Sequence, residues 1–279
     1  MSAILYIVAT PIGNLDDISF RALNTLKNVD FILAEDSRVT KKLISKYGIK
    51  TKVKIFNEHI ENKNTDKIIT DLNNNICYAL VSDAGTPVIS DPGYLLVSKA
   101  KKQNIKVVPI PGANAAISAL SASGLVSNNF SFIGFLPNKS NQRLKAIKDF
   151  KDSKTTLIFY ESPKRVLSSV KDMAYIFGND RKACLAKELT KKFETIITST
   201  LGEIILWLEQ DIKRQKGEFV ILISPNKDKT YHNYDINTVL KILLTELSPA
   251  KAAKAAAKIC NADKNICYKM AVNLKNNLI

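Results

Sequence analysis

The chain has 279 residues, of which 46% are hydrophobic, and its 41 lysines and arginines against 26 aspartates and glutamates give a formal net charge of +15. This length exceeds the ~100–200 residues of one typical domain, so we expect two domains and an appendage. The chain has no apolar run of about 18 residues, and "MSAILYIVATPIG" lacks the basic start and cleavage site of a secretory signal, so we expect a cytoplasmic protein without a membrane span.

The charge and the cysteines bound the choice of partners. A basic surplus favours polyanions, because each neutralised phosphate releases counterions. A chain from an AT-rich genome, rich in lysine and asparagine, would show the same surplus, and composition does not separate the two explanations. Four cysteines and two histidines stand at spacings that match no metal pattern. We therefore expect reduced thiols and no metal.

Apolar runs and helical patterns alternate along the first 120 residues, which predicts an α/β unit with a mainly parallel sheet. Ser19 and Ser37 are the expected N-caps of the first two helices. The predicted strands span 3–10, 29–36, 51–56, 76–82 and 105–110. The predicted helices span 19–27, 37–48, 64–74, 93–103 and 113–124.

The same alternation continues to residue 225, after which only helical patterns follow. We expect domains at 1–120 and 121–225, and a linker with a basic helical extension at 226–279. Strands are predicted at 130–137, 155–162, 182–190, 192–200 and 217–224. Helices are predicted at 141–150, 162–178, 201–210, 236–247, 248–260 and 264–277.

Glycine and proline cluster in three loops that follow predicted strands, "TPIGNLDD" (10–17), "SDAGTPVISDPG" (82–93) and "PIPGANAA" (109–116). In open α/β sheets, ligands bind beyond the carboxyl ends of the strands, where glycine lets a ligand approach the main chain. Neither G-x-G-x-x-G nor G-x-x-x-x-G-K-[ST] occurs in the sequence. The loops predict a small-molecule cleft and leave the molecule open.

Eight motifs occur in one order between residues 4 and 224: "LYIVATPIGNLDDIS", "AEDSRVTKKLI", "LVSDAGTPVISDPG", "VVPIPGANAAISALSASG", "FIGFLP", "FYESPKRV", "KELTKKFE" and "GEFVILI". In this order they resemble the tetrapyrrole methylase superfamily, and within it the members that methylate a cytidine ribose 2′-hydroxyl in 16S ribosomal RNA. Segment 236–275 resembles the helical extension of those members. The resemblance implies two α/β domains with S-adenosylmethionine in the cleft between them. It also implies a homodimer, with 16S ribosomal RNA or the small ribosomal subunit as partner.

The resemblance further implies which residues line the cofactor pocket. Each has a simpler alternative: Pro11 would only stiffen a turn, for example, and Tyr160 would only belong to the core. The matching positions are Pro11, Asp83, Gly85, Val88, Asn114, Ala115, Tyr160, Leu189, Glu218 and Phe219.

Charged residues near the strand ends are candidates for the chemistry. Methyl transfer from a sulfonium is an in-line displacement, so alignment supplies most of the acceleration, and a carboxylate or unprotonated lysine could take the proton of the hydroxyl. Arginine and lysine suit phosphate. For every candidate, a solvated charge or a surface salt bridge is an equal alternative. The candidate proton acceptors are Asp36, Glu161, Lys187 and Glu188, with His59 as a fifth. The candidate RNA-binding residues are Arg38, Lys41, Lys164 and Arg165.

Two other functions fit parts of the pattern. A methyltransferase of the same superfamily acting on a porphyrin-like ring would share the cofactor cleft, but the basic balance and the lysine-rich tail argue against it. A noncatalytic protein that binds RNA or the ribosome could have kept the fold. A noncatalytic protein could lack cofactor binding, which distinguishes it from an enzyme. Only an enzyme that acts on RNA would methylate ribosomal particles, which distinguishes it from a porphyrin-type methyltransferase.

Overall fold

The computed structural model describes residues 3–226, 235–260 and 262–276. The chain divides into two units, Met1–Asn226 and Lys227–Ile279, and the first unit holds two five-stranded sheets. None of the described helices is long and apolar enough to cross a membrane.

The first sheet is entirely parallel, with the strand order β3-β2-β4-β1-β5. Its carboxyl ends therefore meet at one edge, which is the edge that carries the three glycine and proline loops. The prediction of a mainly parallel sheet is confirmed. The strands are β1 (Ile4–Val8), β2 (Phe31–Ala34), β3 (Lys52–Ile55), β4 (Tyr78–Val81) and β5 (Lys106–Ile110).

Helices cover both faces of this sheet. Residues of α1 and α2 pack on one face and residues of α3 and α4 on the other, which explains why the central strands are apolar throughout. The third helix begins earlier than the predicted residue 64, because the polar first turns of "EHIENK" hide the helical period. The helices are α1 (Phe20–Asn28), α2 (Ser37–Lys46), α3 (Glu58–Asn73), α4 (Tyr94–Lys102) and α5 (Ala115–Ala122).

The helix caps show one success and one error of the sequence analysis. Ser19 caps α1 as predicted, since its side chain accepts a hydrogen bond from the Ala22 amide. The prediction for Ser37 is wrong. Asp36 is the N-cap of α2, because its carboxylate accepts from the Arg38 amide, and Ser37 is the first helical residue.

The second sheet has the order β6-β7-β10-β8-β9, in which only β6 and β7 run parallel. The central strand β10 is buried along its whole length. All predicted strands and helices of this half are present, α8 with the predicted bounds and the others with shorter ones. They are β6 (Phe130–Phe135), α6 (Ser140–Lys148), β7 (Thr156–Glu161), α7 (Val166–Phe177), β8 (Lys182–Lys187), β9 (Thr195–Thr200), α8 (Leu201–Gln210) and β10 (Phe219–Ile223).

Helix α5 joins the two halves of the first unit. Its Ala116, Ala119 and Leu120 pack against Ile158 and Val220 of the second sheet, while α6, α7 and α8 cover the opposite face of that sheet. Small alanine side chains allow the helix to lie close to the strands. The domain boundary predicted after residue 120 falls within this helix, and the division into 1–120 and 121–225 stays a prediction.

The second unit contains three helices that pack around small residues. The predicted helices are present, and Pro249 stands in the first turn of α10, where its missing amide hydrogen is tolerated. Most of the predicted linker, residues 227–234, lies outside the described residues. The helices are α9 (Ile236–Leu243), α10 (Pro249–Ile259) and α11 (Lys264–Asn276), and their core contains Val239, Leu240, Ala252, Ala253, Ala256, Cys267 and Ala271.

Candidate functional site

A cavity of about 420 Å³ opens between the carboxyl edge of the first sheet and the second sheet. Its size lies within the ~300–1,000 Å³ typical of sites for small molecules and cofactors. We call it the first cavity. Its walls are formed by Ile12, Glu35, residues 83–86 and 89–91, Asn114, Ala115, Phe135, residues 160–163, Ala186, Leu189 and residues 218–220.

The loop that follows β4 shapes one wall of the first cavity. Thr10 and Gly85 exchange backbone hydrogen bonds of 2.8 and 3.0 Å, so two of the three glycine and proline loops are joined there. Gly85 has a φ of +82°, and a side chain at this position would stand 3.3 Å from Ile12 Cγ2. Glycine is therefore required by the backbone and by the close approach of Ile12. Thr86 Oγ1 donates to Ala113 O at 3.2 Å, which links the third loop.

Five acidic residues line the first cavity, and three of them, Glu35, Asp83 and Asp91, influence each other's charge. The pKa of Asp91 is raised to about 6: burial is the largest cause, a hydrogen bond from Ser82 opposes it, and the charge of Asp83 adds to it. Burial likewise raises the pKa of Glu35, followed by the charges of Asp83 and Asp91. Asp83 Oδ1 accepts from the Asp36 amide at 3.0 Å. Mutual repulsion of the three groups favours a cation in the first cavity.

Aromatic rings form the opposite wall. Tyr160 meets the edges of Phe132 and Phe135, with ring centroids 4.9 and 5.6 Å away. The Ala116 amide donates to Tyr160 Oη at 3.3 Å, which fixes the phenol at the start of α5. Burial raises the pKa of Tyr160, so it remains a neutral phenol. The wall is rigid and largely apolar.

The residues of the first cavity fit S-adenosylmethionine, the cofactor that the sequence resemblance implies. Its sulfonium carries a positive charge, which the three carboxylates would stabilise. Its adenosine and methionine parts need apolar walls and polar groups at fixed positions. Ile12, Leu189 and Phe219 offer apolar contacts, and a close main chain is available at Gly85.

A second cavity of about 360 Å³ adjoins the first and shares Ile12, Asp83, Ala84 and Glu218 with it. We call it the second cavity. Its remaining walls come mainly from the loop after β1 and from α2, together with Ser82 after β4 and Lys191 after β8. They are Thr10, Pro11, Gly13, Leu15, Val39, Thr40, Lys42, Leu43, Ser82 and Lys191.

Most of the expected cofactor-binding residues come together in the structure. Pro11 lies on the wall of the second cavity. Val88 packs against the core beneath the first sheet. The other eight line the first cavity, namely Asp83, Gly85, Asn114, Ala115, Tyr160, Leu189, Glu218 and Phe219.

Among the candidate proton acceptors, Glu161 lines the first cavity, but its oxygens are occupied. Oε1 accepts from the Ser162 amide and from Arg165 Nη2, each at 2.7 Å, and Oε2 accepts from the Ser169 hydroxyl. The residue is 3% exposed. Its contacts hold the end of β7 in place.

The other candidate acceptors lie outside the walls of both cavities. Lys187 Nζ donates to Lys213 O at 2.9 Å, and Glu188 Oε1 pairs with Lys191 and accepts from the Glu218 amide at 2.9 Å. Asp36 forms a fork with Arg38, and these hydrogen bonds hold its pKa at about 2. His59 is exposed on α3.

The candidate RNA-binding residues differ in their exposure to solvent and in their bonds to other residues. Lys41 and Lys164 are exposed. The Arg38 side chain is 89% exposed although it pairs with Asp36. Arg165 is only 18% exposed and bonds to Glu161, Ser162, Leu136 O and Asn138. Arg165 is thus a structural partner of Glu161.

The sequence analysis missed Glu35, Ser90 and Asp91 on the wall of the first cavity. Asp91 lies in the loop "SDAGTPVISDPG" (82–93), which the sequence assigned to the cleft without singling out this residue. Glu35 precedes Asp36 at the end of β2, and only the fold shows which of these neighbours faces the cavity.

Within 3–226, 235–260 and 262–276, no three histidine, cysteine or acidic side chains lie close enough to hold a metal ion. The four cysteines are free thiols, and two of them, Cys184 and Cys267, are buried.

Comparison with known proteins identifies relatives over nearly the whole chain. Residues 4–205 match the family described as Tetrapyrrole (Corrin/Porphyrin) Methylases, and residues 234–275 match the RsmI C-terminal HTH domain. The chain is 46% identical over 268 residues to the Ribosomal RNA small subunit methyltransferase I of Vibrio cholerae serotype O1, covering 95% of this chain and 93% of that protein. The protein of the same name from Halalkalibacterium halodurans is 49% identical over 225 residues, 81% of this chain and 77% of that protein.

Solved structures share the fold at low identity. A diphthine synthase aligns with a TM-score of 0.60 and 14% identity, over 80% of this chain and 90% of that one. A uroporphyrin-III-C-methyltransferase from Thermus thermophilus aligns with a TM-score of 0.56 and 14% identity, over 80% and 94%. These likenesses confirm the expected fold class of two α/β halves with a helical extension. The chain belongs to the tetrapyrrole methylase family, and within it to the ribosomal RNA small subunit methyltransferase I proteins, which makes it an S-adenosylmethionine-dependent methyltransferase.

Proposed function

We propose that the chain transfers a methyl group from S-adenosylmethionine to the ribose 2′-oxygen of a cytidine in 16S ribosomal RNA. The observation that carries this proposal is the similarity to proteins named Ribosomal RNA small subunit methyltransferase I, at 41–49% identity. The similarity extends through both units, since the Haemophilus influenzae relative aligns over 98% of this chain. The structures named for porphyrin-type substrates share only the fold, at 14% identity.

The first cavity is the proposed cofactor site. Bound there, S-adenosylmethionine would supply an electrophilic methyl group whose transfer leaves a neutral thioether. Asp83 and Asp91 would attract the positive charge, and the apolar walls would exclude water. The charge preference also favours release of the neutral product over the charged cofactor, because only the cofactor gains from the carboxylates.

The second cavity is the proposed site of the methyl acceptor. It meets the first cavity at Asp83 and Ala84, so a ribose held there lies beside the reacting methyl group. Lys42 is exposed on its wall and would contact a backbone phosphate. Correct alignment of the two reactants would supply most of the acceleration.

Asp91 is the proposed proton acceptor in place of the residues expected from sequence, for a ribose whose 2′-oxygen reaches from the second cavity into the first. It lines the first cavity, and its raised pKa of about 6 makes it a stronger base than an ordinary aspartate while it remains ionised at pH 7. A pKa near the working pH suits a general base. The hydrogen bonds of Glu161 and Asp36 make them weaker candidates for this role.

The second unit offers a basic surface for RNA. Lys251, Lys254 and Lys258 are all exposed and recur at helical spacing on α10, opposite the buried Ala252 and Ala256. We call them the α10 lysine row, and it spans ~10 Å along the helix. Three lysines in a row suit successive phosphates of a nucleic acid. We further propose a cytoplasmic homodimer, as the sequence resemblance implies, and light scattering would test the dimer.

The proposal is tested by methyl transfer in vitro. The protein is incubated with S-adenosylmethionine labelled in the methyl group and with small ribosomal subunits, naked 16S RNA or a porphyrin-type ring. Label in 16S RNA at a nucleotide that resists alkaline cleavage, which 2′-O-methylation prevents, supports the proposal. Label only in the ring supports the porphyrin alternative, and cofactor-independent binding of subunits without transfer supports a noncatalytic protein.

A further inference from the structure

The turn between Gly85 and Gly93 holds an unusual backbone conformation. Val88 and Ser90 have φ values of +75° and +68°, which is uncommon for residues with side chains and especially so for β-branched valine. Such conformations persist only where the surrounding structure holds them. The turn places Ile89, Ser90 and Asp91 on the wall of the first cavity.

One end of the turn is held by a carboxylate from a different helix. Glu61 of α3 is 8% exposed, and its Oε1 accepts from the Gly93 amide at 3.1 Å and from the Leu95 amide at 2.9 Å. These amides belong to the first turn of α4, whose N-cap is Gly93 and therefore has no side chain to accept them. Glu61 supplies the missing acceptor from α3.

The contacts around Gly93 leave the backbone little freedom. A side chain at Gly93 would stand 2.5 Å from Leu80 Cδ2 and 3.0 Å from Val88 Cγ2, so the main chain lies directly against the sheet. The other end of the turn is fixed at Gly85 by its two hydrogen bonds to Thr10. Asp91 lies only two residues before Gly93. A shift of the Gly93 amide would therefore move Asp91 and the wall of the cavity.

We propose that Glu61 is a positioning residue for cofactor binding, which holds the turn at 89–91 in the shape that forms the wall of the first cavity. This inference rests on the proposed assignment of that cavity to S-adenosylmethionine. Glu61 does not line the cavity itself, and it acts through the amides of Gly93 and Leu95. Its role is distinct from general packing of α3 on α4, because the Asp66 to Lys99 ion pair also joins these helices at an exposed position.

Two readouts on the full chain test the proposal: calorimetric affinity for S-adenosylmethionine, and hydrogen exchange of the Gly93 and Leu95 amides without cofactor. Glu61→Met removes the acceptor, whereas Glu61→Gln keeps an oxygen at the same place. If only about a tenth of the Glu61→Met molecules have the turn in its binding conformation, the apparent Kd for S-adenosylmethionine rises about tenfold, because only that fraction can bind. We expect faster exchange of both amides in this variant, and recovery of both readouts with Gln.

Three control variants separate the explanations. Asp66→Met removes the other carboxylate that joins α3 to α4, and Ile68→Val weakens the packing of α3. Both should bind the cofactor as the wild type does. Gly85→Val alters the cavity wall directly and should weaken binding. If Glu61→Met does not fold, Glu61→Asp decides, because its carboxylate is shorter by one methylene and should also give faster exchange and weaker binding.

The outcomes are distinguishable. Weak binding by Gly85→Val together with wild-type binding by the folded Glu61 variants overturns the positioning role and leaves the proposed function intact. Normal binding by both Gly85→Val and the Glu61 variants shows that S-adenosylmethionine does not bind in the first cavity. If Ile68→Val weakens cofactor binding as much as Glu61→Met does, Glu61 contributes only to the general stability of α3. This outcome also overturns the proposal.

Discussion

Asp91 should lower the stability of the folded protein in exchange for binding a cation. Burial and the nearby charge of Asp83 raise its pKa from 3.8 to about 6, so ionisation is disfavoured in the folded state. Asparagine has nearly the same shape and cannot ionise. We therefore expect Asp91→Asn to be more stable than the wild type at neutral pH and to bind S-adenosylmethionine more weakly.

The magnitude and the pH range follow from the raised pKa. A shift of roughly two units at 1.36 kcal/mol per unit sets an upper limit of about 3 kcal/mol, and solvent screening of the partly exposed carboxylate reduces the effect to about 1–2 kcal/mol. Between pH 4 and 6 the folded protein retains a proton that the unfolded chain has released, so the wild type loses stability as the pH rises through this range. The Asn variant does not lose stability in this way, because asparagine does not ionise. Its advantage should be about 1–2 kcal/mol at pH 7 and close to zero at pH 4.

Urea unfolding of both proteins at pH 4, 5, 6 and 7 measures this difference. The fluorescence of Trp207 is a suitable probe, because it is the single tryptophan of the chain and lies in α8 of the first unit. Acidic groups away from the first cavity titrate alike in both proteins and cancel in the comparison, whereas Glu35, whose pKa the charge of Asp91 helps to raise, adds to the advantage of the Asn variant in the same direction. A stability difference that is the same at pH 4 and pH 7, or an Asn variant less stable than the wild type at pH 7, would refute the reasoning.

Three further predictions follow from the same contacts. Gly85→Val should lower the affinity for S-adenosylmethionine at least about tenfold, by calorimetry, because the side chain meets Ile12 and φ is positive; unchanged affinity in a folded variant would exclude the loop from the site. Replacing the α10 lysine row by glutamine should reduce the slope of log K against log salt for RNA binding by about 2 and leave cofactor binding intact; an unchanged slope would exclude the row. Arg165→Ala should destabilise the protein by about 3–5 kcal/mol in urea unfolding, because it leaves the buried Glu161 unpaired. The exposed Arg38→Ala should change stability by less than about 0.5 kcal/mol. Equal effects would contradict the assignment of Arg165 as the structural partner of Glu161.

Much of the fold could be predicted from sequence because local signals agree with the tertiary structure. The strands of the first sheet are buried on both faces, and such strands appear as continuous apolar runs. The start of α3 was missed, since its first turns are polar. The antiparallel pairs of the second sheet could not be derived either, because strand order depends on contacts between distant residues such as Phe219 and Lys187.

The site was predictable in place but not in the roles of its charged residues. The glycine and proline loops indicated the cavity, because a backbone that approaches a ligand needs such residues. Whether a charge is free or paired depends on distant partners. Glu161 stands in a conspicuous motif, yet Arg165 and Ser169 occupy its oxygens. Glu61 gave no signal at all, since its two partners lie 32 and 34 positions along the chain.

Ribose methylation of 16S ribosomal RNA in cells with and without the gene tests the central claim most directly. A map of alkali-resistant nucleotides should show one cytidine that loses its 2′-O-methyl group when the gene is deleted. The modification should return with the wild-type gene and not with the Gly85→Val variant. An unchanged map in the deleted strain would contradict the proposed function.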